Sequence, residues 1–592
     1  MSVAYEAPVP ELMFLLQHVT GLKRLGKLSR FEDCTPELAE AVLQEASKFA
    51  KEVIWPLNQS SEAQPPVLSH GNVNTSPGYR EAYDKFVEAG WNGLACPTEH
   101  GGQGLCEALA SAVSEMWQSA SMSFGLCPML TAGAIHAIEM HASHELKQRF
   151  LPKLVSGQWT GTMNLTEPQA GSDLAAITTK ATPEDNHYLI KGSKIFITYG
   201  EHDLAENIIH LVLARLPDAP AGVKGISLFI VPKYLVGEDG SLGPRNDVTC
   251  TALEHKVGIH GSPTAAMKYG EKNGAIGYLV GQPHQGLAYM FTMMNHARLQ
   301  VGLQGLAVSE ASFQQARAYA HERIQGKPLL CSDGKGPIAY HPDVARMLIS
   351  MQSRILAMRA LVLEAATELD LASQEQKDSA AVSQARVDLL IPIVKGWCTE
   401  QAQEITSMGV QIHGGMGYIE ETGIGRLWRD ARITPIYEGT TAIQANDFIG
   451  RKILRDNGKA ISDLIKDMED IAAILRKSQN VRLQQLGNQL YQGINALNSA
   501  VQWCLLNAKD NLPSVYFASV PLLMLAGYVT GGWMVARIAL ACQETASELS
   551  ADFLDKQTRL ALAYGSLVLL PSLGLLNVVE QANQLCALSA HP

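Results

Sequence analysis

The chain has few charged residues, no excess of basic over acidic residues and no closely spaced pair of cysteines. Each of these absences excludes a class of protein. Only 18% of its 592 residues are charged and 46% are hydrophobic, so no large part of the chain is expected to be disordered. Forty-seven Lys and Arg face 58 Asp and Glu, and this net charge of −11 has the wrong sign for a protein that coats nucleic acid. The ten cysteines form no CxxC pair, which excludes a zinc ribbon and a disulfide framework.

The beginning of the chain lacks a basic segment followed by an apolar one, and it carries Glu6 and Glu11 instead. We therefore expect no secretory signal, reduced thiols and a cytoplasmic protein. The stretch 511–536 has no charged residue and is long enough to cross a bilayer, but Pro513, Pro521 and three glycines interrupt it. A buried core helix is the preferred prediction, without stable membrane insertion, and peripheral membrane contact stays as an alternative.

The hydrophobic pattern changes along the chain and predicts four domains. Apolar residues at helical spacing predict an N-terminal helical domain over 1–159, with a loop at 64–78 that is rich in proline and glycine. Short β-branched runs between turn residues, among them the separate runs 188–190 and 195–198, predict an all-β domain over 160–285. Helical periodicity returns over 286–457 and continues in an appended helical domain over 458–592. The predicted fold class is mainly α with an inserted all-β domain, and without a repeated unit solenoids and propellers are excluded.

Two glycine-containing segments are candidates for contact with a ligand. The stretch 165–173, LTEPQAGSD, enters a turn whose small residues leave backbone amides free for an anion or a planar cofactor; an ordinary surface turn is the alternative. The stretch 411–430, QIHGGMGYIEETGIGRLWRD, lets the backbone approach a phosphate or adenine, and a simple connection between helices is the alternative. Neither has the GxGxxG pattern after a strand, so a Rossmann dinucleotide site is disfavoured.

One carboxylate is a candidate general base. Glu438 lies in the stretch 435–441, PIYEGTT, between an apolar approach and a glycine that would let a thin substrate pass close by. Desolvation raises the pKa of a carboxyl and makes it a base near neutral pH. A glutamate stabilised by a helix N-terminus is the alternative. His136, His141 and His144 lack the spacing of a zinc helix, and no metal site is predicted.

Taken together and in this order, the three segments resemble those of the acyl-CoA dehydrogenases over about residues 35–455. The segments 246–262 and 293–299 are similar to a bacterial subgroup of about this chain length, which includes 3-methylmercaptopropionyl-CoA dehydrogenases and FadE-type fatty acyl-CoA dehydrogenases. The resemblance implies a helical domain, a β-barrel-like domain and a four-helix bundle, followed by a C-terminal helical extension. It also implies FAD as cofactor and a homodimer.

The resemblance assigns roles to individual positions of this sequence. Phe196 would stack on the flavin ring where the family usually has tryptophan, and Arg323, Gln411 and Gly415 would reach the FAD of a neighbouring subunit. The positions assigned to FAD are Met163, Leu165, Thr166, Ser172, Phe196, Thr198, Arg323, Gln411, Gly415, Thr440 and Ala442. Those assigned to the acyl-CoA substrate are Ser172, Asn295, Arg298, Tyr437 and Gly439.

The implied reaction is the first step of fatty-acid β-oxidation. Glu438 would take the α-proton of an acyl-CoA thioester while hydride leaves the β-carbon for the flavin, which gives a trans-2-enoyl-CoA. Electrons would pass to an electron-transfer flavoprotein, and medium-to-long straight chains are the expected substrates. The alternatives are a 3-methylmercaptopropionyl-CoA dehydrogenase, an acyl-CoA oxidase and a non-catalytic member that binds flavin and DNA; the acidic net charge and Glu438 argue against the last.

Overall fold

The computed structural model describes residues 3–331, 334–374 and 376–589, which form two compact units. Unit 1 comprises Met1–Ser47, Glu107–Ser119 and Arg298–Pro592, and unit 2 comprises Lys48–Cys106 and Ala120–Ala297. This division follows packing, whereas the four domains predicted above follow the order of the chain, and their boundaries stay a prediction. The predicted fold class is confirmed, because helices dominate before and after a β-rich middle segment.

The helices are numbered along the chain as follows: α1 Val9–Phe14, α2 Leu22–Leu25, α3 Pro36–Phe49, α4 Leu57–Ala63, α5 Tyr79–Glu88, α6 Glu107–Ala120, α7 Met122–His141, α8 His144–Val155, α9 Gly286–Glu322, α10 Pro342–Ala372, α11 Lys377–His413, α12 Ile424–Ala431, α13 Thr441–Ile449, α14 Lys459–Arg476, α15 Val481–Asn507, α16 Leu512–Phe517, α17 Ser519–Glu544, α18 Ala551–Tyr564, α19 Leu570–Ser572, α20 Leu575–Glu580 and α21 Ala582–Ser589. The strands are β1 Val67–Ser69, β2 Asn72–Asn74, β3 Trp159–Asn164, β4 Lys180–Glu184, β5 His187–Thr198, β6 Asn207–Arg215, β7 Ile226–Pro232, β8 Tyr234–Val236, β9 Leu242–Arg245, β10 Val248–Leu253, β11 Thr264–Tyr269 and β12 Ala275–Leu279.

Unit 2 is built around a sheet in the order β10-β11-β5-β12-β7-β6-β3, with β4 beside β5 and β6. Strands β6 and β7 are buried almost throughout, which explains their continuous apolar sequence. The pair β3 and β6 is parallel, with Met163 opposite Leu211, while β5, β7, β11 and β12 pair antiparallel with their neighbours. Strand β3 therefore ends, at Asn164, directly before the segment 165–173.

Two details of unit 2 differ from the sequence prediction. The predicted loop at 64–78 contains the short hairpin β1–β2, whose Val73 packs into the core of the β domain. The separate runs 188–190 and 195–198 belong to one strand, β5, because the polar residues between them pair with β11. The polar residues between the runs predicted the end of a strand, but their pairing with β11 keeps the strand continuous.

Unit 1 holds the long helices and the C-terminal extension in one packed body. Helix α17 of the extension contacts α10, α11 and α13 as well as α15 and α18. Gly527 makes the contact with α11 possible, since a Cβ built there would lie 2.2 Å from the Cγ of buried Trp397. The extension is thus continuous in packing with the bundle that carries Glu438.

A buried charge cluster joins distant parts of unit 1. The Arg359 guanidinium on α10 bonds Glu11 of α1, Glu115 of α6 at 2.6 Å and Glu310 of α9 at 2.7 Å. Gln557 of α18 donates to the other oxygen of Glu11 at 3.0 Å. Burial raises the pKa of Glu115, although Arg359 opposes this.

Two helical stretches of the extension are long and apolar enough, by length and composition, to cross a membrane. The first, Ser519–Glu544, is α17; 78% of its most apolar window is buried, as predicted for a core helix. The second, Ala551–Glu580, covers α18 to α20, and only 33% of its window is buried.

Candidate active site

Glu438 lies in a strained turn directly before α13. Its φ is +55° and that of Gly439 is +88°, so two successive residues adopt the left-handed conformation. A Cβ at residue 439 would also lie 2.8 Å from Nε2 of Gln444, which explains the glycine. Thr440 caps the following helix, since its Oγ1 accepts from the amide of Ile443 at 3.3 Å. The turn and the start of α13 together fix the orientation of the Glu438 side chain.

The carboxyl of Glu438 is poised between its two protonation states. Burial raises its pKa to about 7, although Arg298 of α9 and Lys395 of α11 act to lower it. A free carboxyl has a pKa of about 4. Among the described residues, no hydrogen-bond partner holds the side chain, so a substrate proton is the partner this group would take up.

The main chain of the turn is held by groups that sequence reasoning missed. Lys395 donates from Nζ to the carbonyl of Gly439 at 2.6 Å, and Gln444 donates to the carbonyls of Glu438 at 3.1 Å and Gly439 at 3.3 Å. Tyr437 donates from its hydroxyl to Oε1 of Gln304. The sequence contains one signal for the lysine, because it is the only charge in the apolar run 389–398 of a long helix.

Of the predicted substrate residues, Arg298, Tyr437 and Gly439 are brought together in unit 1. Arg298 is buried, lies 3.4 Å from Asp447, and acts electrostatically on Glu438. Ser172 and Asn295 belong to unit 2, where Ser172 is exposed and Asn295 is half-buried in α9. Their substrate roles stay predictions.

A cavity of about 520 Å³ opens beside the turn. Thr440 and Ala442, both predicted to contact FAD, lie in its wall. The remaining lining residues are Glu400, Gln403, Trp428, Arg432, Pro435, Ile436 and Thr441. Arg432 offers a guanidinium and Trp428 an exposed ring, and neither was singled out from the sequence. The cavity is wide enough for part of a dinucleotide.

The other predicted FAD residues of unit 1 are exposed and do not line this cavity. Arg323 follows α9 and contacts Gln325 at 3.3 Å, Gln411 lies in the last turn of α11, and Gly415 lies in the one-turn helix Gly414–Tyr418. A Cβ at residue 415 would meet no atom within 4 Å. Open surroundings fit their predicted role toward a neighbouring subunit, which stays a prediction.

In unit 2, the predicted flavin residues come from two adjacent chain segments. The amide of Ile195 donates to the carbonyl of Thr166 at 3.0 Å, and the hydroxyl of Thr162 donates to the carbonyl of Thr198 at 2.7 Å. These bonds place the end of β3, with Met163, Leu165 and Thr166, beside the end of β5. Phe196 protrudes there with 59% of its surface exposed and a φ of +59°. An exposed aromatic ring in a strained conformation indicates a site that a flat partner covers.

A buried ion pair between Lys194 and Glu167 stabilises the segment that follows β3. Lys194 donates to Glu167 at 2.9 Å and to the carbonyl of Leu165 at 3.0 Å. Thr178 and Thr179 donate amides and hydroxyls to the same carboxylate at 2.6 to 3.1 Å. Burial alone would raise the pKa of Glu167, but Lys194 and these hydrogen bonds lower it to about 2. Glu167 and Lys194 are therefore structural supports of the loop that is predicted to face the flavin.

The predicted absence of a metal concerns the histidines of α7 and α8. His141 bonds Thr292 at 2.6 Å and stacks on Tyr289, so it does not turn toward His144. One group of the described residues has ligand atoms within 4.8 Å of one another: Glu99, His100 and Glu139. Lys147 lies 3.5 Å from Glu139 and supplies part of its counter-charge.

The fold and these residues define the class of protein as a flavin-dependent dehydrogenase of helical, β and helical domains. Family models match the chain in order: acyl-CoA dehydrogenase N-terminal domain at 36–158, middle domain at 162–271, C-terminal domain at 284–454, and an acetyl-CoA dehydrogenase C-terminal-like part at 464–588.

Individual relatives extend over nearly the whole chain. A 3-methylmercaptopropionyl-CoA dehydrogenase of Ruegeria pomeroyi is 45% identical over 96% of both chains. The broad-specificity linear acyl-CoA dehydrogenase FadE5 of Mycobacterium tuberculosis is 34% identical over 90% of both. A crystal structure of an acyl-CoA dehydrogenase from Bacillus anthracis, complexed with FAD, shares the fold with a TM-score of 0.74 at 20% identity, over 97% of this chain and 91% of that one.

The chain belongs to the acyl-CoA dehydrogenase family. It is accordingly an oxidoreductase that acts on acyl-CoA and uses FAD as cofactor.

Proposed function

We propose that the chain oxidises acyl-CoA thioesters to trans-2-enoyl-CoA, with Glu438 as the base that takes the α-proton. The observation that carries this proposal is the pKa of about 7 at Glu438, in a turn that leaves its carboxylate without a described hydrogen-bond partner. Such a carboxylate is ionised often enough near neutral pH to act, and basic enough to accept a proton. Arg298 and Lys395 keep it from being permanently protonated.

FAD, when bound, supplies the acceptor for the hydride that leaves the β-carbon. In unit 2, the protruding ring of Phe196 and the segment around Thr166 suit a flat heterocycle. In unit 1, Thr440 and Arg432, with Ala442 beside them, suit a hydroxyl- or phosphate-bearing group. The N-terminus of α13 suits the phosphate-bearing part of the cofactor, since helix N-termini favour negative charge.

The thioester carbonyl gains negative charge as the α-proton leaves, and a main-chain amide is suited to stabilise it. The amide of Glu438 has no described acceptor in the turn, whereas neighbouring amides such as that of Thr441 donate to main-chain carbonyls. We assign this amide to the thioester oxygen. The same residue then positions the substrate by its backbone and removes the proton by its side chain.

For the acyl group, we propose straight medium-to-long chains, supported by the relative named as a broad-specificity linear acyl-CoA dehydrogenase. A second candidate is 3-methylmercaptopropionyl-CoA, favoured by the 45% identical relative. The 3-methylmercaptopropionyl group has the length of a pentanoyl chain with a thioether sulfur in place of one methylene, so it is several methylenes shorter than a medium-to-long chain. A difference of one methylene is worth only about 1–3 kcal/mol in an apolar pocket.

We further propose an electron-transfer flavoprotein as electron acceptor, a cytoplasmic location and a homodimer. Both full-length relatives are named dehydrogenases rather than oxidases, which supports a protein acceptor over oxygen. The segment around Gln411 and Gly415 exposes Met416, Tyr418 and Ile419, a set of apolar side chains that a second subunit would cover.

Anaerobic titration of the purified yellow protein tests the proposal. Addition of a series from butyryl-CoA to palmitoyl-CoA, and of 3-methylmercaptopropionyl-CoA, should bleach the flavin absorbance with one class of thioester. Rapid reoxidation by electron-transfer flavoprotein but not by oxygen would support the dehydrogenase assignment; oxygen consumption would favour an oxidase. A yellow protein that no thioester bleaches and that shifts DNA in a salt-dependent gel assay would overturn it.

A further inference from the structure

Lys395 is a fully buried lysine in the middle of α11, where its neighbours in the chain are apolar. Its ammonium reaches the catalytic turn and donates to the carbonyl of Gly439 at 2.6 Å, one residue after Glu438. A buried ammonium is costly, so a lysine in such a place needs compensating interactions. The described compensation is this carbonyl together with the nearby negative groups Glu438 and Glu400.

We propose that Lys395 is a positioning residue for Glu438: it clamps the left-handed turn through the Gly439 carbonyl and supplies the positive charge that keeps the Glu438 side chain ionised. This inference rests on the proposed role of Glu438 as the base. In this role Lys395 does not contact the reacting atoms, but it affects the fraction of Glu438 that is ionised.

Three elements place charges around Glu438 in unit 1. Helix α9 contributes Arg298, which is shared with Asp447 of α13 at 3.4 Å, and α11 contributes Lys395 and Glu400. Tyr437, next to Glu438, stays neutral because burial raises its pKa far above the working range. Arg298 also acts on Glu438, and its partner Asp447 is shared with Arg451 at 3.3 Å, so Lys395 supplies one of the two positive charges that favour the ionised carboxylate.

Burial disfavours the charged form of both groups, and the charge of each favours the charged form of the other. Burial lowers the pKa of Lys395 to about 7, against the opposing effect of Glu438, and burial raises that of Glu438 to about 7. Loss of the ammonium would leave Glu438 with its desolvation and one cation fewer. Its pKa should then rise, and the rate should require a higher pH.

Gln444 allows the charge to be separated from the hydrogen bond. Its amide donates to the same Gly439 carbonyl at 3.3 Å and to that of Glu438 at 3.1 Å, but it carries no charge. If Lys395 were only a prop for the turn, Lys395→Met and Gln444→Leu would have the same kind of effect. Only the electrostatic role predicts a changed pH dependence.

The experiment measures flavin bleaching in single turnovers against pH for the holoenzyme and its variants. Lys395→Met should move the rise of the rate to higher pH by about one unit, so that the rate at low pH falls about tenfold while that at high pH recovers. Lys395→Arg should restore the wild-type midpoint. Gln444→Leu should lower the rate at every pH without moving the midpoint, and Lys452→Met, at a surface pair with Asp388, should match wild type.

Infrared difference spectra give a readout that needs no substrate. A protonated-carboxyl band that titrates in the wild type and is absent in Glu438→Gln reports Glu438, and Lys395→Met should shift its midpoint upward. An unshifted band in Lys395→Met would overturn this inference alone, whereas a fully active Glu438→Gln would overturn the proposed function. If Lys395→Met does not fold, Lys395→Gln, neutral but able to donate, takes its place in both measurements.

Discussion

Glu438 and Phe196 share an unusual backbone conformation at the residue scale. Both have φ near +60°, a region that costs a residue with a side chain on the order of 1–3 kcal/mol. At Glu438 the cost is offset by hydrogen bonds from Gln444 and Lys395 to the turn, and at Phe196 by pairing of the neighbouring residues with β11.

Substitution Glu438→Gln should abolish turnover while leaving binding intact. The amide keeps the shape of the carboxyl but accepts no proton, and general-base catalysis is worth about 10²–10⁴ in rate. Visible spectra should show bound flavin and a perturbation on addition of thioester, without bleaching. Near wild-type turnover would remove Glu438 from the role of base.

Substitution Lys194→Met should destabilise the β domain by about 3–5 kcal/mol, because it strands the Glu167 carboxylate without its buried partner. Lys268→Met, in an exposed pair with Glu271, is the matched control and should cost less than about 1 kcal/mol. Denaturant unfolding followed by near-ultraviolet circular dichroism measures both. Equal effects of the two substitutions would contradict the structural role of the buried pair.

At the element scale, helix α7 and strand β3 approach closely enough to exclude a side chain. A Cβ at Gly161 of β3 would lie 2.4 Å from the Cβ of Ala134, and the amide of Gly161 donates to Oγ1 of Thr131 at 3.1 Å. The strand therefore lies directly on the helix. This contact also fixes the position of Thr166, two residues after the strand ends. Helix α7 therefore supports the segment that is predicted to contact the flavin.

Substitution Gly161→Ala should push β3 away from α7 and cost about 1–3 kcal/mol through overpacking. We expect a lower melting temperature and faster loss of FAD on dilution, monitored by flavin fluorescence. Gly574→Ala is the control, since the nearest atom to a Cβ at residue 574 is 3.9 Å away. Tight FAD retention by Gly161→Ala would show that the strand position does not govern the site.

At the scale of the whole molecule, the C-terminal extension and the catalytic bundle are parts of one body. Gly527 and Gly531 of α17 lie against Trp397 of α11, two residues after Lys395. Buried Arg359 and Gln557 connect the same extension to α1 through Glu11. The appended helices thus contribute to the support of the turn that carries Glu438, although none of them lines the site cavity.

The exposed apolar side chains near Gly415 predict the oligomeric state. Tyr418 is 92% exposed, with Met416 and Ile419 beside it, and a homodimer should sediment at twice 64.1 kDa. Tyr418→Asp should shift the protein toward the monomer because a charge in an apolar interface is costly. Val481→Asp, at another exposed apolar position of unit 1, should leave it dimeric. A wild-type monomer that binds FAD fully would contradict the proposal.

The order of helical, β and helical segments, the family and the candidate base could all be predicted from the residues alone. Periodicity reports which face of an element is buried, and the motifs at 165–173, 411–430 and 435–441 are local in the chain. The hairpin β1–β2 and the single strand β5 were missed because their stability comes from pairing and burial against other segments. Local pattern contains no information about such partners.

The environment that sets the pKa of Glu438 depends on the tertiary structure and could not be predicted from the residues alone. Lys395 lies 43 residues before Glu438 in the chain and Arg298 lies much further away, yet the two set its pKa together with burial. Electrostatic effects depend on distance in space and on the exclusion of water, and neither is written in the order of residues. The identity of the base could be predicted from its motif, whereas its readiness at neutral pH arises from the helices folded around it.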